Sequence, residues 1–312
     1  MDSMAAQTGT GPNTGPLSVV RKVRRRTLRD LPTDRTLIMG VVNVTHNSFS
    51  DGGQYLAADA AIEQGLRLHY AGADIIDVGG ESTRPGAEAI DPVTEQNRIL
   101  PVIEALVKAG AVVSVDTMHA VTAEAALKIG DVIINDVSGL NYEPEMPELI
   151  ARTGATYILM HNRGDSKTMD SLADYGDVVE DVARELTGLK DAFLAAGVQP
   201  EQLILDPGLG FAKAGAQNWE LLKGLDRLQS LGFPVLVAAS RKRFLGTLLA
   251  NEAGAEPAPA DRDHATAAVS ALSALHRVWG VRVHEIEPSL HAVKAARAWL
   301  DPEATSARRR RA

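Results

Sequence analysis

MGVVNVTHNSFSDGG, residues 39–53, changes character part-way through. Residues 36–42 form a short apolar, β-branched run without polar alternation, the pattern of a strand buried on both faces. From Asn43 the chain turns polar. Thr45, His46, Asn47, Ser48, Ser50 and Asp51 offer hydroxyls, amides and a carboxylate, and Gly52 and Gly53 close the run. Phe49 is one large apolar side chain set among them. Taken singly, this could be a surface turn with a stray aromatic. It carries weight because the same transition recurs down the chain.

A helical pattern over 57–71 follows, with Ile62, Leu66 and Tyr70 at helical spacing and Gly72 as its stop. Apolar runs at 74–78, 112–115, 132–134, 156–160, 203–205, 235–237 and 281–284 alternate with helical patterns at 93–109, 121–129, 144–152, 178–196, 219–231, 244–278 (interrupted at 254–259) and 289–300. About eight strand–helix units result. The span 36–300 is close to the roughly 250 residues of a (β/α)8 TIM barrel. Apolar strands separated by amphipathic helices demand a parallel sheet covered on both faces. An open doubly wound sheet is the alternative. Against it, no G-x-G-x-x-G follows the first strand. Polar residues also end nearly every strand, as on the catalytic face of a barrel, rather than collecting at one switch point.

The expected organisation is a single α/β domain over 36–300. Residues 1–35 form an arm rich in Gly, Thr and Pro, mostly without the composition to fold, and 301–312 form a basic tail, both expected to be disordered. The chain carries 40 acidic and 32 basic residues, net −8. That balance argues against a general nucleic-acid binder, so the RKVRRR cluster at 21–26 reads as a solvated flank. No apolar stretch approaches the ~18 residues that span a membrane, and no signal-peptide pattern is present. The expected location is cytoplasmic. The absence of Cys excludes disulfides, thiolate catalysis and Cys metal sites, and fits that compartment.

The strand-end residues of a barrel ring one pocket, and two chemistries mix there. Asp116, Asn135 and Asp206 suit the edge of a heterocycle. Asn43, Thr83, Arg84, Arg282 and His284 suit phosphate oxygens, arginine in a forked geometry. Ser240 is read as opening a helix whose free N–H groups can hold an anion, and Lys242 suits either region. Bland readings stand beside these: Asp116 or Asn135 as a helix N-cap, His161 as a hydrogen-bonded structural histidine. No His-Glu-x-x-His spacing marks a tight metal cage. A loosely held Mg2+, liganded in part by substrate phosphates and by Asn43, is the expected metal.

These segments resemble the dihydropteroate synthases, the pterin-binding barrel enzymes of folate biosynthesis. The matching motifs are MGVVNVTHNSFSDGG (39–53), DVGGESTRPGA (77–87), VSVDT (113–117), INDVSG (134–139), LMH (159–161), LDPGLGFAK (205–213), ASRKRF (239–244) and VRVHE (281–285), in family order, with a texture similar to actinobacterial members. The resemblance implies condensation of 6-hydroxymethyl-7,8-dihydropterin pyrophosphate with 4-aminobenzoate, giving 7,8-dihydropteroate and pyrophosphate by an SN1-like, Mg2+-assisted path, in a homodimer. It places the pterin on Asp116, Asn135, Met160, Asp206 and Lys242, and the pyrophosphate on Asn43, Thr83, Arg84, Arg282 and His284. It places 4-aminobenzoate against Phe49, Pro85, Phe211, Ser240 and Lys242. Asp116, Asp206, Lys242, Arg84 and Asp51 are its expected catalytic groups, with Asp51 and Arg84 able to pair as the loops close. One departure stands out. The family's first loop usually reads TPDSFSDGG, and here His46 and Asn47 replace the Pro and the first Asp. Two other readings remain, a non-catalytic pterin-binding paralogue and a methyl carrier for a corrinoid protein. The intact STRPG, SRK and Arg282-x-His284 elements weigh against both.

Overall fold

The computed structural model describes residues 27–44, 51–83 and 86–305. Its strands are β1 (Leu37–Asn43), β2 (Ile75–Gly79), β3 (Val112–Asp116), β4 (Ile133–Asp136), β5 (Tyr157–Met160), β6 (Leu203–Asp206), β7 (Leu236–Val237) and β8 (Gly280–Val283). All paired neighbours are parallel, in the order β6-β5-β4-β3-β2-β1-β8-β7. A parallel bridge from Leu205 to Val235 joins β6 to the start of β7 and closes the cylinder. The fold is the expected eight-stranded barrel. The open sheet is excluded, because neither end of the strand order is left unpaired.

Helices wrap the outside: α1 (Asp51–Tyr70), α2 (Pro92–Lys108), α3 (Ala120–Leu127), α4 (Met146–Thr153), α5 (Val178–Ala195), α6 (Gly215–Lys223), α7 (Leu225–Gln229), α8 (Arg243–Leu248), α9 (Asp263–Leu275) and α10 (Ile286–Leu300). Two differ from expectation. α1 starts at Asp51 rather than 57, so the first polar loop is shorter than the motif suggested. The pattern at 219–231 is two helices split at Gly224, where a Cβ would come within 2.7 Å of Val179 on α5. The arm is also shorter. Residues 28–30 form a 3-10 turn, and Arg35 clamps Asp74 with two 2.7 Å hydrogen bonds while Asp74 accepts the Ile38 N–H at 2.8 Å. This ties the floor of β1 to the floor of β2. Likewise 302–305 form a 3-10 turn at the start of the expected tail.

Two apolar layers hold the barrel. The larger lies between strands and helices, from Ile38 and Ile76 to Leu290 and Val293. The smaller fills the lower barrel with Leu37, Met39, Ile75, Val112, Ile133, Ile158, Ile204 and Leu236. Side chains alternate faces along a strand. Further along five of the strands an inward position becomes polar or site-forming: Asp77 after Ile75, Asn135 after Ile133, Met160 after Ile158, Asp206 after Ile204, and Asp116 four residues after Val112. A dry plug thus supports a polar upper layer at the C-terminal mouth, where barrel enzymes carry their chemistry.

Candidate active site

Asp77 and Arg282 form the centre of that layer. Arg282 enters from β8, with Nε donating to Asp77 Oδ2 at 2.6 Å and Nη2 to Asp116 Oδ2 at 2.7 Å. Asn135 Nδ2 adds 3.3 Å contacts to both Asp77 oxygens. Asp77 is fully buried, and the Arg282 side chain is 19% exposed. Burial pushes the Asp116 carboxyl up to about 7, with Arg282 opposing and the neighbouring carboxylates adding to the rise. Arg282 was expected on the pyrophosphate side; here two carboxylates, on β2 and β3, engage two of its three nitrogens. The N-cap reading of Asp116 and Asn135 also fails. His119 caps α3 and Glu145 caps α4, and both candidates point into the barrel.

The second half of the site hangs on the turn after β6. Asp206 Oδ1 accepts the Gly208 N–H at 2.7 Å. Lys242 donates to the Leu209 carbonyl, and its Nζ stands 4.6 Å from the centre of the Phe211 ring. Burial raises the Asp206 carboxyl, with Lys242 the main opposing charge. Burial lowers the Lys242 ammonium to about 8, with Asp206 opposing. Gly208 is required here: its φ is +68°, and a Cβ would lie 1.8 Å from the His161 carbonyl oxygen. Gly208→Ala should therefore cost more than about 1 kcal/mol of stability, with turnover lost in what still folds. An unchanged melting curve and rate would show that the turn is free to relocate.

Ser240 and Lys242 are set by the residue between them. Arg241 takes φ +60° and turns outward to Asp263, at 2.8 and 2.6 Å. Buried Arg262 donates to the Arg241 and Lys242 carbonyls at 3.2 and 3.3 Å. Ser240 does not open a helix. α8 begins at Arg243 with Lys242 as its N-cap and is only six residues long, so the expected helix-end anion site is not there. Instead Ser240 Oγ lies 3.0 Å from His284 Nδ1 and accepts the His284 N–H at 3.2 Å.

Met160 is buried at the end of β5, in register with Asp206. Asn43 ends β1 and is exposed, and Thr83 lies half-buried beyond β2. Among the described residues, no hydrogen bond joins the side chains of Asn43 or Thr83 to the other candidates. Phe49, Arg84 and Pro85, with His46 and Asn47, lie outside the described residues. Asp51 is the first residue of α1 and its side chain is not described. His161 follows its bland reading: it is wholly buried and hydrogen-bonded. Asp77, Arg262 and Lys213 were missed. The signal for Asp77 was available, since it is a lone carboxylate at an inward position of an apolar strand.

No group of three or more His, Cys, Asp or Glu that could hold a metal occurs among the described residues. The exposed amide oxygen of Asn43 is a hard donor and fits Mg2+ only as one ligand of an ion that keeps its waters and its phosphates.

A carboxylate–arginine–amide cluster and a carboxylate–lysine–aromatic turn thus share the C-terminal mouth of a barrel, the face on which barrel enzymes carry their chemistry. Residues 39–284 match the family described as pterin binding enzyme, and the chain belongs to that family. It is 51% identical to the dihydropteroate synthase of Mycobacterium leprae, over 84% of this chain and 93% of that one. Among solved structures it is similar to Xanthomonas albilineans dihydropteroate synthase with 4-aminobenzoic acid, at TM-score 0.77 and 39% identity, covering 86% of this chain and 94% of that one. The same enzyme in complex with 7,8-dihydropteroate matches at TM-score 0.75 and 37% identity, over 87% and 96%.

Proposed function

We propose that this chain joins 6-hydroxymethyl-7,8-dihydropterin pyrophosphate to 4-aminobenzoate, releasing pyrophosphate and forming 7,8-dihydropteroate. The observation that carries this reading is the meeting, in one barrel mouth, of the Asp77–Arg282–Asp116 cluster with the Asp206–Lys242–Phe211 turn. Asp206 takes the N–H donors of the pterin edge, and Asn135 and Asp116 take the opposite side. Met160 and the apolar plug form the floor. Asn43, Thr83, Arg84 and the Ser240–His284 pair hold the phosphates. Asn43 would hold Mg2+ together with the phosphates, and the ion would supply charge neutralisation for the leaving group. The bond from the pterin methylene carbon to the pyrophosphate oxygen breaks with its electron pair going to oxygen. Asp116 and Asp206 favour the cation left on the pterin. The amine nitrogen of 4-aminobenzoate, placed against Phe211 and the Lys242 stem, then bonds to the methylene and loses a proton. No covalent bond to the protein forms.

A homodimer fits this reading, with exposed Leu272, Leu275 and Trp299 on α9 and α10 offering an apolar surface to a second copy. The chain works on soluble substrates in the cytoplasm in this reading. Among the described residues, no helix is long and apolar enough to cross a membrane.

Binding order tests the reading. In this reading the 4-aminobenzoate side, to which Phe49 and Pro85 are assigned, depends on bound pyrophosphate. Calorimetry should therefore show 4-aminobenzoate binding only when pyrophosphate and Mg2+ are present. Equal binding to the bare protein contradicts that order.

A further inference from the structure

Behind the turn after β6 lies a buried row of polar groups that the proposed reaction does not use. Lys213 is 5% exposed. Its Nζ donates to the Phe211 carbonyl at 2.8 Å and lies 3.0 Å from His161 Nδ1. His161 Nε2 lies 2.9 Å from Glu185 Oε2 on α5. Glu185 also takes Arg163 Nε at 3.0 Å, and that guanidinium covers the Tyr175 ring at 3.9 Å. The partners fix the imidazole. An ionised carboxylate only accepts, so Nε2 carries the hydrogen and Nδ1 offers its lone pair to the lysine. Burial holds His161 down at about 4, with Lys213 adding to the fall. Burial pushes Glu185 up, but the hydrogen bonds from His161 and Arg163 prevail and bring it to about 2. Burial pushes the Lys213 ammonium well below its ordinary value, with Lys242 adding to the fall, so the row reads lysine amine, neutral imidazole, carboxylate, guanidinium.

Burying a lysine is costly, and an apolar side chain of similar volume often packs at least as stably. What the lysine adds is a directional hold on one carbonyl. That carbonyl belongs to Phe211, whose ring faces Lys242 Nζ. The next residue, Ala212, is buried at φ +48°, a conformation that persists in a non-glycine residue only where its surroundings enforce it. At the other end of the turn, Gly208 rests on the His161 backbone and donates to Asp206. His161 thus braces the turn twice, with its carbonyl beneath Gly208 and its ring beneath Lys213.

We propose that Lys213 is a positioning residue for the condensation: through the Phe211 carbonyl and His161 it holds the turn of residues 206–212 in the conformation that aims Asp206 at the pterin and sets Phe211 and Lys242 against 4-aminobenzoate. This rests on the reaction proposed above. Lys213 touches neither substrate.

The test compares steady-state constants and melting temperatures of the full-length wild type, Lys213→Met, His161→Gln, His161→Leu and Ala212→Gly. Both substrates and Mg2+ are supplied. Misplacement of a turn by about 1 Å can cost up to about a hundredfold. Lys213→Met and His161→Leu should raise KM for 4-aminobenzoate and lower kcat, together about tenfold or more in kcat/KM. His161→Gln keeps an acceptor for Lys213 and a donor for Glu185, and should stay within about twofold of wild type. Ala212→Gly leaves the buried row intact and relieves the backbone, so it folds even if the other variants do not. With the hold in place its constants should stay within about twofold of wild type, without loss of melting temperature. If Ala212→Gly loses about tenfold in kcat/KM with the row intact, or if folded Lys213→Met and His161→Leu lose melting temperature alone, the row is not what holds the turn and the inference is overturned. A wild type that makes no dihydropteroate overturns the reaction, and this inference with it; an active wild type matched by Lys213→Met and His161→Leu overturns the inference alone.

Discussion

Arg282→Met should destabilise the fold by about 3–5 kcal/mol and abolish dihydropteroate formation. Removing one partner of a buried charge cluster leaves the others uncompensated. Here the others are two carboxylates, Asp77 and Asp116, which share the guanidinium at 2.6 and 2.7 Å. Left together they can avoid repulsion only by taking up a proton. The pH dependence follows in sign. Asp116 already titrates near 7 in the fold, above its unfolded value near 4. A group raised in this way contributes stability that is fully present below the unfolded value and is lost as pH rises through the folded one. Without Arg282 the folded value rises further, so the loss extends above pH 7. The gap between variant and wild type should be small near pH 4–5 and widest near pH 8. Urea denaturation at both pH values measures it. An equal gap at both would mean that the cluster is not held by charge.

Asp206→Asn should keep the fold and weaken pterin binding by about 1–3 kcal/mol, roughly five- to 150-fold. Asparagine retains an oxygen for the Gly208 N–H, which Asp206 Oδ1 accepts at 2.7 Å, so the turn survives. The other carboxylate oxygen becomes an NH2 group facing the N–H donors of the pterin edge. Two donors then oppose each other in a buried site, each losing the partner it had in water. Calorimetry with the pterin pyrophosphate reads the loss directly. Unchanged affinity would remove Asp206 from the pterin contact.

These two residues also mark what the sequence could disclose. Asp206, Asp116 and Asn135 each end an apolar run, and a parallel barrel carries every such end to one mouth. The ring of candidates was therefore legible without coordinates. Asp77 lies inside the run 74–78 rather than at its end, which makes it one more strand residue. Counting the period of two back from Asp116 and Asn135 across the sheet shows that it faces inward with them. Lys213 was harder. It follows a glycine-rich turn, where a lysine is normally solvated, and its partner His161 is 52 residues away in sequence. Ser240 was misassigned to a helix start because Arg241 takes a positive φ, which delays α8 to Arg243. The early start of α1 ran against the low helix propensity of Gly52 and Gly53. Asp51 at the positive end of the helix and the alanine-rich run behind it favour the longer form.

The central claim is that the barrel mouth performs the condensation and does not merely bind its components. Purified protein supplied with 6-hydroxymethyl-7,8-dihydropterin pyrophosphate, 4-aminobenzoate and Mg2+ tests it, with dihydropteroate and pyrophosphate followed together. The expected result is catalytic release of both products in equal amounts, with no dihydropteroate when 4-aminobenzoate is withheld. Binding of both substrates without either product would contradict it and leave a pterin-binding protein that performs no chemistry.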